Sequence, residues 1–581
     1  MKTSDMKNSV ESFLADMTVE QKVGQMLCLG LSGPYPHPDI LEAIGKYNPA
    51  GFRVTPYMRK FKRYFGPDHP ATARVVRPPE PLEREYGSSL RGPGVTAGRY
   101  AEVLNTLRRR SLETGAGIPL YFALDYEGNQ SFDFNDPDMA LFPAAMGLAA
   151  SGDPALCQRV ARTIGEQLRT VGINWLHSPV LDVNTAPLNP EIGTRSYSPL
   201  PDEVARYASA SLAGFDEAGV IATGKHFPGR GHSVMDVHFG MATIEESRER
   251  MSEIHLAPYR ALIAAGLPAI MLAHSVFPGI DPESEIATLS KAVIHDVLRG
   301  ELGFDGVIMT DSFTMGGLVA KYEVAEAAIR CIVHGVDLIL LKDENALRGE
   351  VFEGLLGAVR SGRISEERLN EAVRHVLTAK DRAGLFAGDN GMVDPDTVEA
   401  KLRAPEAAAV EKEAAERSIT ILRDGKGLLP LPRDAKVLVA EEVSMIHKRL
   451  NNHRAYAGAL YHGLLEAGYD AWGTDFETND SFEKIWPLIC DRAKEADIIV
   501  HTGFFERGGE IEKAYHKRFL ELGKPTVFVT NCPYETVVDA AMETVVVTFS
   551  PIASSLRAAA RVLTGEAPAT AKLNFDPGKT Y

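Results

Sequence analysis

The chain has 581 residues, 45% of them hydrophobic and 24% charged, with a net charge of −16 at neutral pH. That length exceeds what one hydrophobic core ordinarily serves, so two or three domains are expected. The acidic balance repels phosphate backbones and argues against a nucleic-acid partner.

Met1 to Glu20 has no basic start followed by an apolar core, so no signal peptide is expected. No apolar run reaches the length that spans a bilayer, so no membrane partner is expected either. The five cysteines (Cys28, Cys157, Cys331, Cys490, Cys532) stand far apart. A disulfide framework or a zinc site is therefore disfavoured, and a reduced, cytoplasmic setting is expected.

Thr18 with Gln21 reads as a capping box at the first helix start. Eight short apolar runs then follow: Met26–Gly30, Gly51–Val54, Leu120–Leu124, Ile173–His177, Ile221–Gly224, Ala269–Ala273, Val307–Thr310 and Leu338–Leu341. Helical periodicity fills most of the gaps, as in Gln158–Thr170, Glu203–Ala218 and the stretch after Ser290. This alternation suggests a (β/α)₈ barrel, although a doubly wound sheet gives the same rhythm. Tyr57 to Gly94 interrupts it with a long basic, proline-rich connection, which reads equally as a lid or as a solvated excursion.

Ser365–Arg382 closes the first unit. The domain reading is 1–387 for the barrel, 388–410 for a polar linker and 411–581 for a smaller α/β sandwich domain. The strands expected there are Ser418–Leu422, Lys436–Ala440, Asp497–Thr502, Thr526–Thr530 and Thr544–Phe549, in a mostly parallel sheet. No glycine-rich phosphate loop sits between a strand and a helix, so nucleotide binding has no support, and no cofactor is expected.

In a barrel, residues just past the strand ends converge on one mouth. That rule selects Asp125, Arg195, Lys225, His226, His274, Asp311, Lys342 and Asp343. Taken singly, a strand-end aspartate is a helix cap and a lone histidine a structural residue. A barrel core of branched apolar side chains has no need of such a ring of charge. Asp311 ends the run Gly306-Val-Ile-Met-Thr-Asp311, which delivers a carboxylate to the mouth. Nearby Lys225 or Arg195 would keep it ionised, as a nucleophile must be.

The segment Gly224-Lys-His-Phe-Pro-Gly-Arg-Gly-His-Ser-Val-Met-Asp236-Val-His238 passes from strand to loop. In an extended Asp-x-His the two side chains share one side. Asp236 can then fix the tautomer of His238 and raise its basicity, giving an acid/base dyad. A metal site built from His226, His232, Asp236 and His238 matches no common zinc spacing, and no metal is expected.

These segments resemble glycoside hydrolase family 3, in its branch of β-N-acetylglucosaminidases with two domains. Lys225-His-Phe-Pro-Gly with Asp236-x-His238 resembles the branch's motif and its acid/base loop, and Leu302-Gly-Phe-Asp-Gly-Val-Ile-Met-Thr-Asp311 resembles the nucleophile strand. Ile192-Gly-Thr-Arg195-Ser, Asp125-Tyr-Glu-Gly, and the openings Thr18-Val-Glu-Gln-Lys-Val-Gly-Gln-Met and Arg417-Ser-Ile-Thr-Ile-Leu are similar in the same way. The resemblance implies a retaining double displacement on a small β-glycoside of an amino sugar. Asp311 would be the nucleophile and His238 the acid/base, oriented by Asp236. Asp125, Arg195, Lys225 and His226 would hold the sugar hydroxyls. A histidine acid/base leaves no anionic base facing the intermediate, so phosphate is a possible second acceptor and a phosphorylase the alternative.

The sequence also departs from the family pattern. Asn129 stands where a second glycine is expected, and Asp133 where an arginine is expected. Arg230 replaces a histidine, and Ser312 replaces an acid. Altered sugar specificity, including a free amine drawn by Asp133, is thus a further alternative. A catalytically silent sugar-binding protein would have lost Asp311 or the dyad, and all three residues are present. The sequence leaves oligomeric state open.

Overall fold

Apolar runs buried on both faces become a parallel barrel. The computed structural model describes residues 3–56, 95–129, 131–134, 136–235, 242–315, 318, 321–443, 456–478, 481–505 and 513–581. The basic connection Tyr57 to Gly94 and the dyad Asp236 and His238 lie outside the described residues.

The barrel strands are β1 (Leu27–Ser32), β2 (Gly51–Thr55), β3 (Tyr121–Leu124), β6 (Trp175–Leu176), β7 (Ile221–Phe227), β8 (Ala269–Leu272), β9 (Val307–Thr310) and β10 (Ile339–Leu341). Their order is β10-β1-β2-β3-β6-β7-β8-β9, all paired parallel. A bridge between Met309 and Leu338, with Thr310 N–H donating to the Leu338 carbonyl at 3.1 Å, brings β9 to β10 and closes the circle. All eight expected strands are present, the fourth shortened to two residues. β7 is buried at every position, as parallel strands covered by helices are.

Local signals set the helix ends. Thr18 and Gln21 form the reciprocal capping box expected from their spacing. The helices Pro154–Val171 and Pro201–Ala218 each begin on proline and stop at a left-handed glycine, Gly172 and Gly219. A small hairpin, β4 (Tyr126–Gly128) with β5 (Ser131–Phe132), follows β3 and was not expected from the sequence.

The second sheet contains β11 (Thr420–Asp424), β12 (Lys436–Glu442), β13 (Asp470–Phe476), β14 (Ile498–Gly503), β15 (Thr526–Thr530) and β16 (Thr544–Val547). The order is β11-β16-β15-β14-β12-β13, parallel except for the edge strand β11. β13 had no counterpart among the expected strands. It is the other edge, with only Ala471 and Phe476 buried, and its Asp, Gly and Thr residues hide it from an apolar pattern.

The two sheets belong to units in direct contact. Ala144, Met146 and Ala150 of the barrel share a core with Phe505, Phe528, Val547 and Phe549. Arg417 pairs with Asp153 at 2.7 Å and Arg159 with Glu413 at 2.6 Å. The side chain of Asn531, just past β15, donates to Asn129 Oδ1 at 3.1 Å, beside the barrel mouth.

Candidate active site

β9 ends at Thr310, so Asp311 leaves the strand at the mouth and remains partly exposed. Its N–H donates to the Leu272 carbonyl at 3.3 Å, and its Oδ1 accepts the Ser312 N–H at 2.7 Å. The charge of Asp311 is among those acting on the buried Arg53 guanidinium.

Arg53 comes from β2. It is in register with Ala123 of β3, which lies two residues before Asp125 and so on the same side of that strand. The long arginine side chain reaches up to Asp125, with Nη2 to Oδ2 at 2.6 Å, and also pairs with Asp133. Lys225, near the end of β7, sets its Nζ 2.9 Å from Asp125 Oδ1 and 2.5 Å from Glu127 Oε1. Arg195, in the turn Gly193–Arg195, grips Glu127 through Nε at 2.7 Å and Nη2 at 3.1 Å.

Glu191 joins Arg195 to Arg230, at 3.4 and 2.9 Å. Asp182 takes the His226 ring Nδ1 at 2.7 Å and the Arg230 backbone N–H at 2.8 Å.

Burial opposes ionisation throughout this network, and neighbouring cations reverse the sign. Desolvation would raise the Asp125 carboxyl, but Lys225 and Arg53 hold it well below the usual carboxylate range. Burial likewise works against Glu127, while Arg195 and Lys225 bring it down to about 2. His177, 3.5 Å from Asp125, and His274 are both lowered, chiefly by burial. His274 Nε2 lies 3.1 Å from the Ser312 carbonyl, which ties β8 to the segment following Asp311. Lys342, at the rim, is lowered by the Arg53 charge first and then by desolvation.

Asp125, Lys225, Arg195 and Asp311 therefore lie around one mouth, with His226, the residue after Lys225, held by Asp182. The sequence reading passed over Arg53, Glu127, Asp182 and Glu191. A cation within the apolar run Gly51-Phe-Arg-Val was a signal for Arg53. Glu127 stands inside the motif Asp125-Tyr-Glu-Gly, where nothing in the spacing marks it out. Asp182 and Glu191 gave no signal, because their strand has only two residues and they lie in the long loop beyond it. Among the described residues no group of three metal-ligating side chains forms. No described helix is long and apolar enough to cross a membrane.

A closed parallel barrel with paired carboxylates and cations at its strand ends, joined to a second α/β unit, is the frame in which the following likenesses agree on one class, a glycoside hydrolase. The profile of the glycosyl hydrolase family 3 N-terminal domain matches residues 95–379. A β-hexosaminidase of Idiomarina loihiensis is 32% identical over 265 residues, which cover 45% of this chain and 78% of that protein. A β-N-acetylglucosaminidase/β-glucosidase of Cellulomonas fimi is 29% identical over 411 residues, covering 67% of this chain and 70% of the relative. The solved structure of a glycoside hydrolase family 3 β-N-acetylglucosaminidase from Paenibacillus sp. strain FPU-7 superposes with a TM-score of 0.80 at 29% identity, over 97% of this chain and 100% of that one. The chain belongs to glycosyl hydrolase family 3.

Proposed function

We propose that the chain is a retaining, exo-acting β-N-acetylhexosaminidase that removes terminal β-linked N-acetylglucosamine-like residues. The observation that carries this reading is the arrival of Asp311 at the mouth where Lys225 and Arg53 hold Asp125. Its Oδ1 accepts the Ser312 N–H, and its charge and that of Arg53 act on each other. Asp311 attacks the anomeric carbon and forms a covalent glycosyl-enzyme, while the bond to the departing oxygen breaks. His238, oriented by Asp236, protonates that oxygen and then takes a proton from the water that releases the sugar. The roles of Asp236 and His238 rest on their spacing in the sequence.

Asp125, Lys225, Arg195 and His226 hold the sugar hydroxyls. Lys225, Arg195 and His226 are only 2–5% exposed, so little solvent competes for their polar groups. The catalytic unit in this reading is 1–387, joined through 388–410 to 411–581. The five free cysteines, none in a disulfide, support a cytoplasmic setting.

The test is turnover of para-nitrophenyl N-acetyl-β-glucosaminide, with the product anomer followed by NMR, with and without inorganic phosphate. Retention is expected, as is a fall of more than about a thousandfold in kcat for Asp311→Asn. An active Asp311→Asn enzyme would falsify the assignment. A phosphate-dependent rate with a sugar phosphate as product would replace hydrolase by phosphorylase.

A further inference from the structure

Arg53 is 4% exposed, and one of its nitrogens faces two carboxylates, Asp125 and Asp133. The hairpin β4–β5 makes this possible, because it returns the chain to Asp125 eight residues later. Gly128 and Asn129 take positive φ values of 80° and 53° there, which glycine and asparagine tolerate. Asp133 N–H donates to the Asp125 carbonyl at 3.1 Å, and Asp133 Oδ2 accepts the Asp125 N–H at 3.0 Å. The Asp125 and Asp133 side chains keep 25% and 21% exposure, so both carboxylates face the mouth.

The guanidinium is thus already engaged by two anions, one of which has no other cation among the ion pairs of the described residues. An anionic substituent entering beside Asp125 would meet the Asp125 and Asp133 carboxylates first, with the Arg53 guanidinium already turned toward them. An uncharged hydroxyl meets acceptors instead. If Asp133 were neutral, Arg53 would keep Asp125 as its one directly paired carboxylate and present more positive charge to the cavity.

We propose that Asp133 is a specificity-determining residue that masks Arg53, so that the mouth accepts uncharged sugars and rejects anionic ones such as uronic acids. This rests on the reading that Asp125 faces the sugar ring. The experiment compares para-nitrophenyl β-glucuronide with the β-glucoside, which differ only in the carboxylate on the exocyclic carbon. The N-acetyl-β-glucosaminide serves as activity reference for wild type, Asp133→Asn, Asp133→Ser and Asp133→Glu. Wild type should favour the glucoside by at least about a hundredfold in kcat/KM, a ratio that Asp133→Asn and Asp133→Ser narrow by about tenfold or more. Asp133→Glu should keep it within about threefold.

Equal use of both sugars by wild type, or a ratio unmoved in the two neutral variants, overturns the proposal. Calorimetric binding of free glucuronate to wild type and Asp133→Asn gives the second readout and needs no turnover. Tighter binding by the variant supports the masking role even if no aryl glycoside is cleaved, in which case the hydrolase reading alone fails. Unchanged glucuronate binding sinks the masking role even in an active hydrolase.

Discussion

The barrel mouth and the centre of the second sheet both bury ionisable side chains, and they do it by opposite means. At the mouth every buried charge described above meets its opposite. Glu127 has Arg195 and Lys225, and Asp125 has Lys225 and Arg53. In the second sheet, His501 of β14 and His516 of the helix Lys513–Glu521 are fully buried, their rings stacked 5.6 Å apart. Phe519 stacks on His501 at 4.3 Å, and Phe476 and Phe528 border the pair. Their ring nitrogens have no hydrogen-bond partner among the described residues. Burial lowers both, His516 to about 4. Where chemistry needs a charge, the fold surrounds it with partners. Where only packing is needed, it forces the titratable ring neutral.

Breaking the mouth network should have the larger effect. Arg195→Met keeps bulk but removes the bidentate partner of Glu127 and one partner of Glu191. Both members of the Arg195–Glu127 pair are at most 5% exposed, so solvent screens little of the loss. Urea unfolding should show a loss of about 3 kcal/mol. The same variant should lose at least about a hundredfold in kcat/KM through a displaced Glu127–Lys225–Asp125 chain. Unchanged stability and activity would mean that the pairing contributes nothing, and the contrast with the histidine pair would lose its meaning.

The contrast also explains what was legible in the sequence. The barrel strands were readable because parallel strands covered on both faces are continuous apolar runs. Asp125, Lys225 and Asp311 were readable because such runs end on them. Arg53 was missed because it lies inside a strand and acts one layer up, on a neighbour fixed only by register. Asp133 looked like a free anion able to attract an amine, because nothing local reveals a partner eighty residues earlier. β13 was missed because an edge strand needs only half the apolar residues of a central one. His501 and His516 carry no local signal, since their partnerless state depends on which aromatic rings surround them.

Acid should separate the two regions. A histidine lowered in the folded chain is neutral there, while the unfolded chain takes up a proton below its ordinary value of 6.5. The unfolded state therefore binds more protons as pH falls, and stability declines from about pH 6.5 down to the folded value. For His516, shifted to about 4, the full loss is about 3 kcal/mol, reached near pH 4. Glu127 works in a lower window. Its depressed value contributes stability above about 4.5 that is lost only as pH falls through about 2. The second sheet should thus loosen first on acidification. Trp472 and Trp486 border its core beside Phe482 and Phe519, so tryptophan fluorescence reports on this region. His516→Phe should flatten the decline between pH 6.5 and 4.5. A profile identical to wild type would place the acid-sensitive group elsewhere.

The smallest expected effect tests whether the second unit helps to set the mouth. Asn531 reads the backbone of Phe505 on both sides, accepting its N–H at 2.8 Å and donating to its carbonyl at 3.0 Å, and also donates to Asn129. Asn531→Ala leaves those buried groups unpaired and should cost about 1–2 kcal/mol in unfolding free energy. Its effect on KM should stay below about threefold, because Asp125 is held by Arg53 and Lys225 from within the barrel. Asn531→Asp keeps an acceptor for the Phe505 N–H but sets a buried carboxylate against the Phe505 carbonyl and Asn129 Oδ1, so it should cost at least as much stability as alanine with the same small effect on KM. A KM raised tenfold or more in either variant would move part of the mouth's positioning onto the contact between the two units, and the self-sufficient barrel argued here would give way to a shared site.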